Sequence, residues 1–187
     1  MRTFLAIEIE NHIKNKIDVT QEIILNSNSA HIKYVETENI HLTLKFFGDV
    51  NDNKIKKITK IINDTLKNYK VFTIKIVHIG AFPNIKHPRV IWTGVKDKDK
   101  TTVSLIKELD EKFSEIGFNK EKDYVPHITI GRVKKIDDKE ILFNTLKKLK
   151  KTYHGKMEVK RICLKSSTLT PNGPIYKTIE EFDLGDE

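Results

Sequence analysis

Two stretches of the chain carry the same four-residue pattern. His-Leu-Thr-Leu occupies 41–44 within IHLTLKFF, and His-Ile-Thr-Ile occupies 127–130 within PHITIGR. In an extended strand, residues i and i+2 project to one face, while i+1 and i+3 project to the other. Each stretch therefore offers an imidazole and a hydroxyl on one face, ~7 Å apart along the strand. Two aliphatic side chains on the opposite face need burial. The chain must build two strands that are packed behind and open in front. A single tetrad reads as an ordinary strand with a structural histidine; two with matching flanks read as one site.

The surrounding sequence supplies the scaffold. RTFLAIEI (2–9) alternates with period two, Phe4, Ala6 and Glu8 on one face and Leu5, Ile7 and Ile9 on the other, so it predicts a buried first strand. A helix is predicted from about Asn11 to Asn26, then strands at HIKYV (31–35) and IHLTLKFFG (40–48) around the turn ETEN. DNKIKKITKIINDTLKNY places Ile55, Ile58, Ile62 and Leu66 on one helical face with lysines opposite. VFTIKIVHIG reads as a strand, AFPNIKHP as a loop punctuated by Pro83 and Pro88, and RVIWTGV as a strand. The second half follows the same rhythm. A helix from about Thr102 to Ile116 is stopped by Gly117, PHITIGRV is a strand, and DDKEILFNTLKKLKK is a helix. HGKMEVKRICLKSSTL is one strand or a broken pair, and the turn PNGP leads into the last strand, IYKTIEEFDL. This order predicts an α+β fold with two pseudo-symmetric lobes, each an antiparallel sheet with outer helices, and an active-site cleft between them. No linker divides residues 1–187, so a single bilobal domain is expected.

Charge and cysteine content narrow the function. The chain carries 34 Lys and Arg against 26 Asp and Glu, a net charge of +8, which suits anionic partners as well as a solvated lysine coat. The one cysteine, Cys163 in RICLK, reads as a small core residue. The N-terminus lacks the layout of a signal peptide, and no window approaches the ~20 apolar residues of a membrane span. A cytoplasmic monomer without an obligate protein partner is expected.

Two imidazoles facing one cleft suit phosphodiester chemistry. A neutral imidazole accepts a proton from an attacking hydroxyl or water, and an imidazolium protonates the departing oxygen. Threonine hydroxyls hydrogen-bond the non-bridging oxygens. A zinc site would need a third ligand, and no Cys pair, HExxH helix or acidic cluster stands near either tetrad. Ser166 and Ser167 lack a nucleophile-elbow context. On these grounds the catalytic set is His41, His127, Thr43 and Thr129, with no cofactor and no metal.

With those residues on the page, the chain resembles the RNA 2',3'-cyclic phosphodiesterases, also called 2'-5' RNA ligases, of the two-histidine phosphoesterase superfamily. The resemblance covers MRTFLAIEI, ENIHLTLKFFGDV, AFPNIKHPRVIWTGV, KDYVPHITIGRVK and SSTLTPNGPIYKTIEEF. It implies a bilobal two-histidine phosphoesterase fold acting on RNA with 2',3'-cyclic phosphate ends, tRNA fragments among them. His41 would be the proton donor to the leaving 3' oxygen, His127 the acceptor that activates water, and Thr43 and Thr129 the holders of the phosphate. Near-symmetry would permit the reverse assignment, and reversal of the reaction would join ends through a 2'-5' bond. The resemblance also makes Arg132 a phosphate clamp, although simple alternation turns it away from His127 unless the strand bulges at Gly131. Alternation puts Lys45 on the His41 face, as further cleft charge or a solvated lysine, and Phe47 there too, as a base-stacking aromatic or a core residue. Phe82 and Trp92 read as packing residues near the cleft wall. A non-catalytic RNA- or nucleotide-binding module and an enzyme for small cyclic nucleotides are the alternatives.

Overall fold

Apolar alternation and local caps set the elements of the computed structural model, which describes residues 1–186. Among them, the first half runs β1 (Arg2–Glu8), α1 (Asn11–Asn26), β2 (Ala30–Tyr34), a 3-10 turn (Thr37–Asn39), β3 (His41–Asp49), α2 (Asp52–Leu66), β4 (Phe72–Phe82) and β5 (Val90–Lys96). The second half runs α3 (Thr101–Glu115), β6 (His127–Ile136), α4 (Lys139–Lys148), β7 (Tyr153–Val159), β8 (Arg161–Thr170) and β9 (Gly173–Asp183). Side-chain caps start three helices. Asn51 accepts from Lys54 N–H at 2.9 Å, Asp138 from Ile141 N–H at 3.0 Å, and Asp97 from both Thr101 and Thr102 N–H. Each such cap is worth ~1 kcal/mol. Gly117 ends α3 in the left-handed region, φ +94°, with its N–H on the Ser114 carbonyl.

The strands form two antiparallel sheets, ordered β3-β1-β8-β9 and β2-β6-β5-β4-β7. Helices α2 and α3 pack on the first and α1 on the second, with α4 against α1. The predicted α+β architecture of two sheets with outer helices is therefore present. The chain does not complete one sheet before starting the other. It crosses between them after β1, β2, β3 and β7. The tetrad strand β3 is followed by α2, yet β4 joins the other sheet, and Lys160 separates β7 from β8, which also lie in different sheets. Periodicity reports which face of a strand is buried, not which sheet it joins, so this interleaving was outside its reach. Its consequence is a shared apolar cluster running from Leu5 and Ile7 through Ile58 and Phe113 to Ile128 and Ile130. No helix among the described residues is long and apolar enough to cross a membrane.

One strand outruns its prediction. β4 continues through Ala81 and Phe82, paired with Ile91 and Val90, into the stretch read as loop. That extension brings the Phe82 ring to the cleft. Cys163 is buried on β8, and burial lifts its thiol to about 11, as befits a core residue.

A buried histidine ties α1 to the five-stranded sheet. His154 on β7 is 1% exposed, with Nε2 at 2.8 Å from Thr20 Oγ1 and Nδ1 at 3.0 Å from Thr93 Oγ1. Burial lowers its pKa from 6.5 to about 4. The unfolded chain thus binds the proton more tightly. This contribution is complete above pH 6.5 and is lost as pH falls toward 4, up to ~3 kcal/mol in all. Denaturant unfolding followed from pH 7 to pH 4 should show a smaller acid loss for His154→Gln than for the parent; equal losses would contradict the assignment.

Candidate active site

Both tetrads open onto one cleft of about 620 Å³ between the sheets, lined by His41, Thr43, His127, Thr129 and Arg132 among others. Strands β3 and β6, which carry them, approach each other directly. Leu42, Ile128 and Ile130 are fully buried and Leu44 is 5% exposed, so the backing residues occupy the core face as alternation predicts.

The two imidazoles are anchored in the same way. His41 Nδ1 donates to the Asn39 carbonyl at 2.6 Å, and His127 Nδ1 donates to the Val125 carbonyl at 2.7 Å. A carbonyl only accepts, so each Nδ1 carries hydrogen and each Nε2 is the nitrogen able to take up or release a proton. His41 Nε2 lies 2.8 Å from Thr43 Oγ1. Aromatic rings brace both histidines. Phe4 and Tyr176 sit 5.0 and 5.4 Å from the His41 ring, and Phe82 and Trp92 sit 4.9 and 6.2 Å from the His127 ring. The Asn39 side chain donates to the Pro174 carbonyl at 3.3 Å, joining the turn before His41 to the β8–β9 hairpin. Burial lowers the His41 pKa, and the nearby Lys165 and Lys14 charges add to the effect; the Asn39 carbonyl and Glu8 oppose them.

Each tetrad strand then slips by one residue. Along β3, Ala6 pairs with Thr43 and Leu5 with Lys45, leaving Leu44 as an extra residue; a second slip leaves Phe47 unpaired. Along β6, Trp92 pairs with Thr129 and Ile91 with Gly131, leaving Ile130 extra. Both bulges fall on the fourth residue of the tetrad. A bulge reverses the facing of everything beyond it, so position 45 or 131 turns to the core and position 46 or 132 to the cleft.

This slip decides the facing of Arg132, Lys45 and Phe47. Arg132 is exposed and lines the cleft, by the kind of irregularity that the clamp required. Gly131 permits it: a Cβ there would stand 2.8 Å from Ile32 Cγ2 on β2. Gln21 of α1 secures the bulge, donating to the Ile130 carbonyl at 2.9 Å and the Val35 carbonyl at 3.0 Å. Lys45 differs from expectation. Its chain borders the cleft, but its ammonium is buried against Asp110 Oδ1 at 2.5 Å, the Asn119 carbonyl at 2.6 Å and Glu121 Oε1 at 3.2 Å, so it supplies no free charge. Phe47 takes the second of its two expected places, the core, 4.8 Å from Phe113 and 5.0 Å from Phe118. Its neighbour Phe46, 65% exposed, lines the cleft in its stead. Tyr176 and Phe46 carried no sequence signal beyond being aromatic; a one-residue slip is invisible in a period-two pattern.

Among the described residues no three His, Cys, Asp or Glu side chains gather as a metal-binding group. The other five histidines lie apart from the cleft: His12 bonds Glu10, His31 bonds Asp137, His78 meets the Lys150 carbonyl, His87 sits in the loop after β4, and His154 is buried under α1.

Asp110 is the hub of the wall around Lys45. Burial works to raise its pKa, and hydrogen bonds from Lys45, Tyr124 and the Glu121 N–H overrule it and hold the carboxylate below its ordinary value. Removing one partner of such a pair leaves a buried charge alone, whereas removing both does not. Lys45→Met should lower unfolding free energy by ~3–5 kcal/mol, and adding Asp110→Leu should restore most of it. A double variant as unstable as the single one, in denaturant melts, would contradict the buried pairing.

A family model described as the 2'-5' RNA ligase superfamily matches residues 10–169. The chain is 47% identical over 182 residues to a protein of Methanocaldococcus jannaschii named RNA 2',3'-cyclic phosphodiesterase, covering 97% of this chain and 100% of that one. A protein of the same name from Methanothermobacter thermautotrophicus is 41% identical over 184 residues, 98% of this chain and 99% of the relative. In fold, a crystal structure from Thermus thermophilus superposes with a TM-score of 0.83 over all of both chains at 22% identity.

Proposed function

The chain belongs to the 2'-5' RNA ligase superfamily, and from that premise we propose that it hydrolyses 2',3'-cyclic phosphates at RNA ends to 2'-phosphomonoesters. The observation that carries the reading is the duplicated anchor: two imidazoles on two sheets, each held through Nδ1 by a carbonyl two residues upstream, with Nε2 left for the same cleft. Simple binding of RNA requires no such pair of titratable groups. The names of the archaeal relatives agree with it.

The step assigns one role to each group. His127 Nε2, neutral, takes a proton from a water whose oxygen attacks phosphorus. The bond from phosphorus to the 3' oxygen breaks, and His41 Nε2–H gives that oxygen its proton. The product carries a 2'-phosphate and a 3'-hydroxyl. Before substrate binds, the imidazolium form of His41 donates from Nδ1 to Asn39 and from Nε2 to Thr43 Oγ1; the 3' oxygen then replaces Thr43 as acceptor of the Nε2 hydrogen, and the Thr43 hydroxyl turns to a non-bridging oxygen. Thr129 serves the opposite side, and the Arg132 guanidinium pairs with the phosphate charge. The lowered His41 pKa makes its proton easier to surrender, while the bound anion favours the charged form beforehand. A 5'-hydroxyl in place of water would yield a 2'-5' phosphodiester by the same proton transfers, with phosphorus again leaving the 3' oxygen.

The test is hydrolysis of RNA ending in a 2',3'-cyclic phosphate, in the presence of EDTA, with the product resolved as the 2'- or 3'-phosphate. The 2'-phosphate is expected, and His41→Ala and His127→Ala should each lower kcat by roughly 10²–10⁴. Activity abolished by EDTA and restored by zinc would overturn the mechanism, and tight binding without turnover would favour a binding module. The pH profile of kcat/KM should be bell-shaped, with two macroscopic limbs. Desolvation of His41 sets one limb below the ordinary histidine value, and Lys165→Met, by removing a positive charge beside it, should move that limb to higher pH. An unmoved limb would detach His41 from the profile.

A further inference from the structure

Three cations in the cleft lack carboxylate partners among the described residues. Lys33, on the edge strand β2, is the direct cross-strand partner of Arg132 on β6, and Lys134 follows two residues later. All three line the same cleft. Like charges directly opposite one another weaken an antiparallel pair, so this placement costs the sheet stability while the cleft is empty. The next basic side chains along the same two strands are treated differently: His31 and Lys135 each bond Asp137 at 3.0 Å. The carboxylates of the cleft do not neutralise the trio either. Glu121 is committed to Lys45, and Glu36 and Asp123 line the cleft without bonding any of the three.

The chemistry of the substrate says which anion they face. This inference rests on the cyclic phosphodiesterase reading above. Both the 2' and the 3' oxygen of the terminal nucleotide are tied up in the cyclic phosphate, so the strand continues only through the 5' oxygen. The nearest further anion is the phosphodiester on that side. With the reacting phosphate between the histidines and Arg132, Lys33 stands one strand spacing away, ~5 Å, and Lys134 two residues along, ~7 Å. Those offsets match the step from one phosphate of an extended single strand to the next. We propose that Lys33 and Lys134 form a second phosphate subsite that holds the phosphodiester 5' of the reacting nucleotide. The RNA strand then leaves the cleft over the β2 edge, and an oligonucleotide end is a better substrate than a mononucleotide.

Two substrates separate the possibilities: a nucleoside 2',3'-cyclic phosphate, and a dinucleotide with one internal phosphodiester and the same cyclic end. The readout is the ratio of their kcat/KM values. The parent protein should favour the dinucleotide by roughly tenfold, as one well-placed phosphate interaction of about 1.4 kcal/mol gives. Lys33→Ala combined with Lys134→Ala should bring the ratio close to one. It should also flatten the salt dependence of dinucleotide turnover, by less than the ~0.7 log units per log unit of salt that one neutralised phosphate gives on a long single strand. Lys33→Arg, which keeps the charge, should retain the preference. Equal rates on the two substrates in the parent, or an unchanged ratio in the double variant, would overturn the subsite while leaving cyclic phosphodiester hydrolysis standing. Turnover of neither substrate by the parent would instead overturn the functional reading on which the subsite rests.

Discussion

A one-residue slip, placed after each His-x-Thr-x tetrad, governs the shape of this cleft. Four residues in strict alternation put imidazole and hydroxyl on one side and aliphatic side chains on the other. The bulge at Leu44 or Ile130 then reverses the facing, so the residue two places further on rejoins the cleft. On β3 that residue is Phe46; on β6 it is Arg132. The two halves thus share backbone geometry and differ in what they deliver, an apolar surface on one wall and a cation on the other. A cyclic nucleotide end has both a base to stack and a phosphate to neutralise, and such a division of labour fits it.

Charge inside the protein follows the same economy. The lysine that the slip sends inward meets Asp110, Glu121 and a carbonyl, and its charge is fully matched. The cations that the strands send toward the cleft are left without partners among the described residues. A buried cation without an anion is costly, whereas one at the cleft surface is solvated until a ligand arrives. The distribution of ion pairs therefore separates the residues that hold the wall together from those available to an anionic substrate. The histidines show a gentler version of this division. Each gives one nitrogen to a backbone carbonyl, which fixes ring and tautomer and leaves the other without a backbone partner.

Much of this was legible in the sequence, for definable reasons. Helix α1 emerges at the predicted bounds, and Gly117 ends α3 in the conformation that favours glycine. The tetrads were readable because burial of Leu42, Leu44, Ile128 and Ile130 is a strong period-two signal. The sheet to which β4 belongs was not readable, because strand pairing depends on distant partners. Lys45 as a cleft charge and the stacking reading of Phe47 failed for a narrower reason: a bulge adds one residue without altering composition, and KFF offers no glycine to mark the slip. GR after the second tetrad does carry that glycine, which is why a bulge could be suspected for Arg132 and not for Lys45.

The central claim is that the working nitrogens of His41 and His127 address a single phosphate. Proton–nitrogen NMR of protein labelled with nitrogen-15 at histidine, titrated with a nucleoside 2'-monophosphate as product, tests it most directly. Both Nε2 resonances should shift along one binding curve, while those of the buried His154 stay in place. A response from only one of the two, or two curves with different midpoints, would contradict the account.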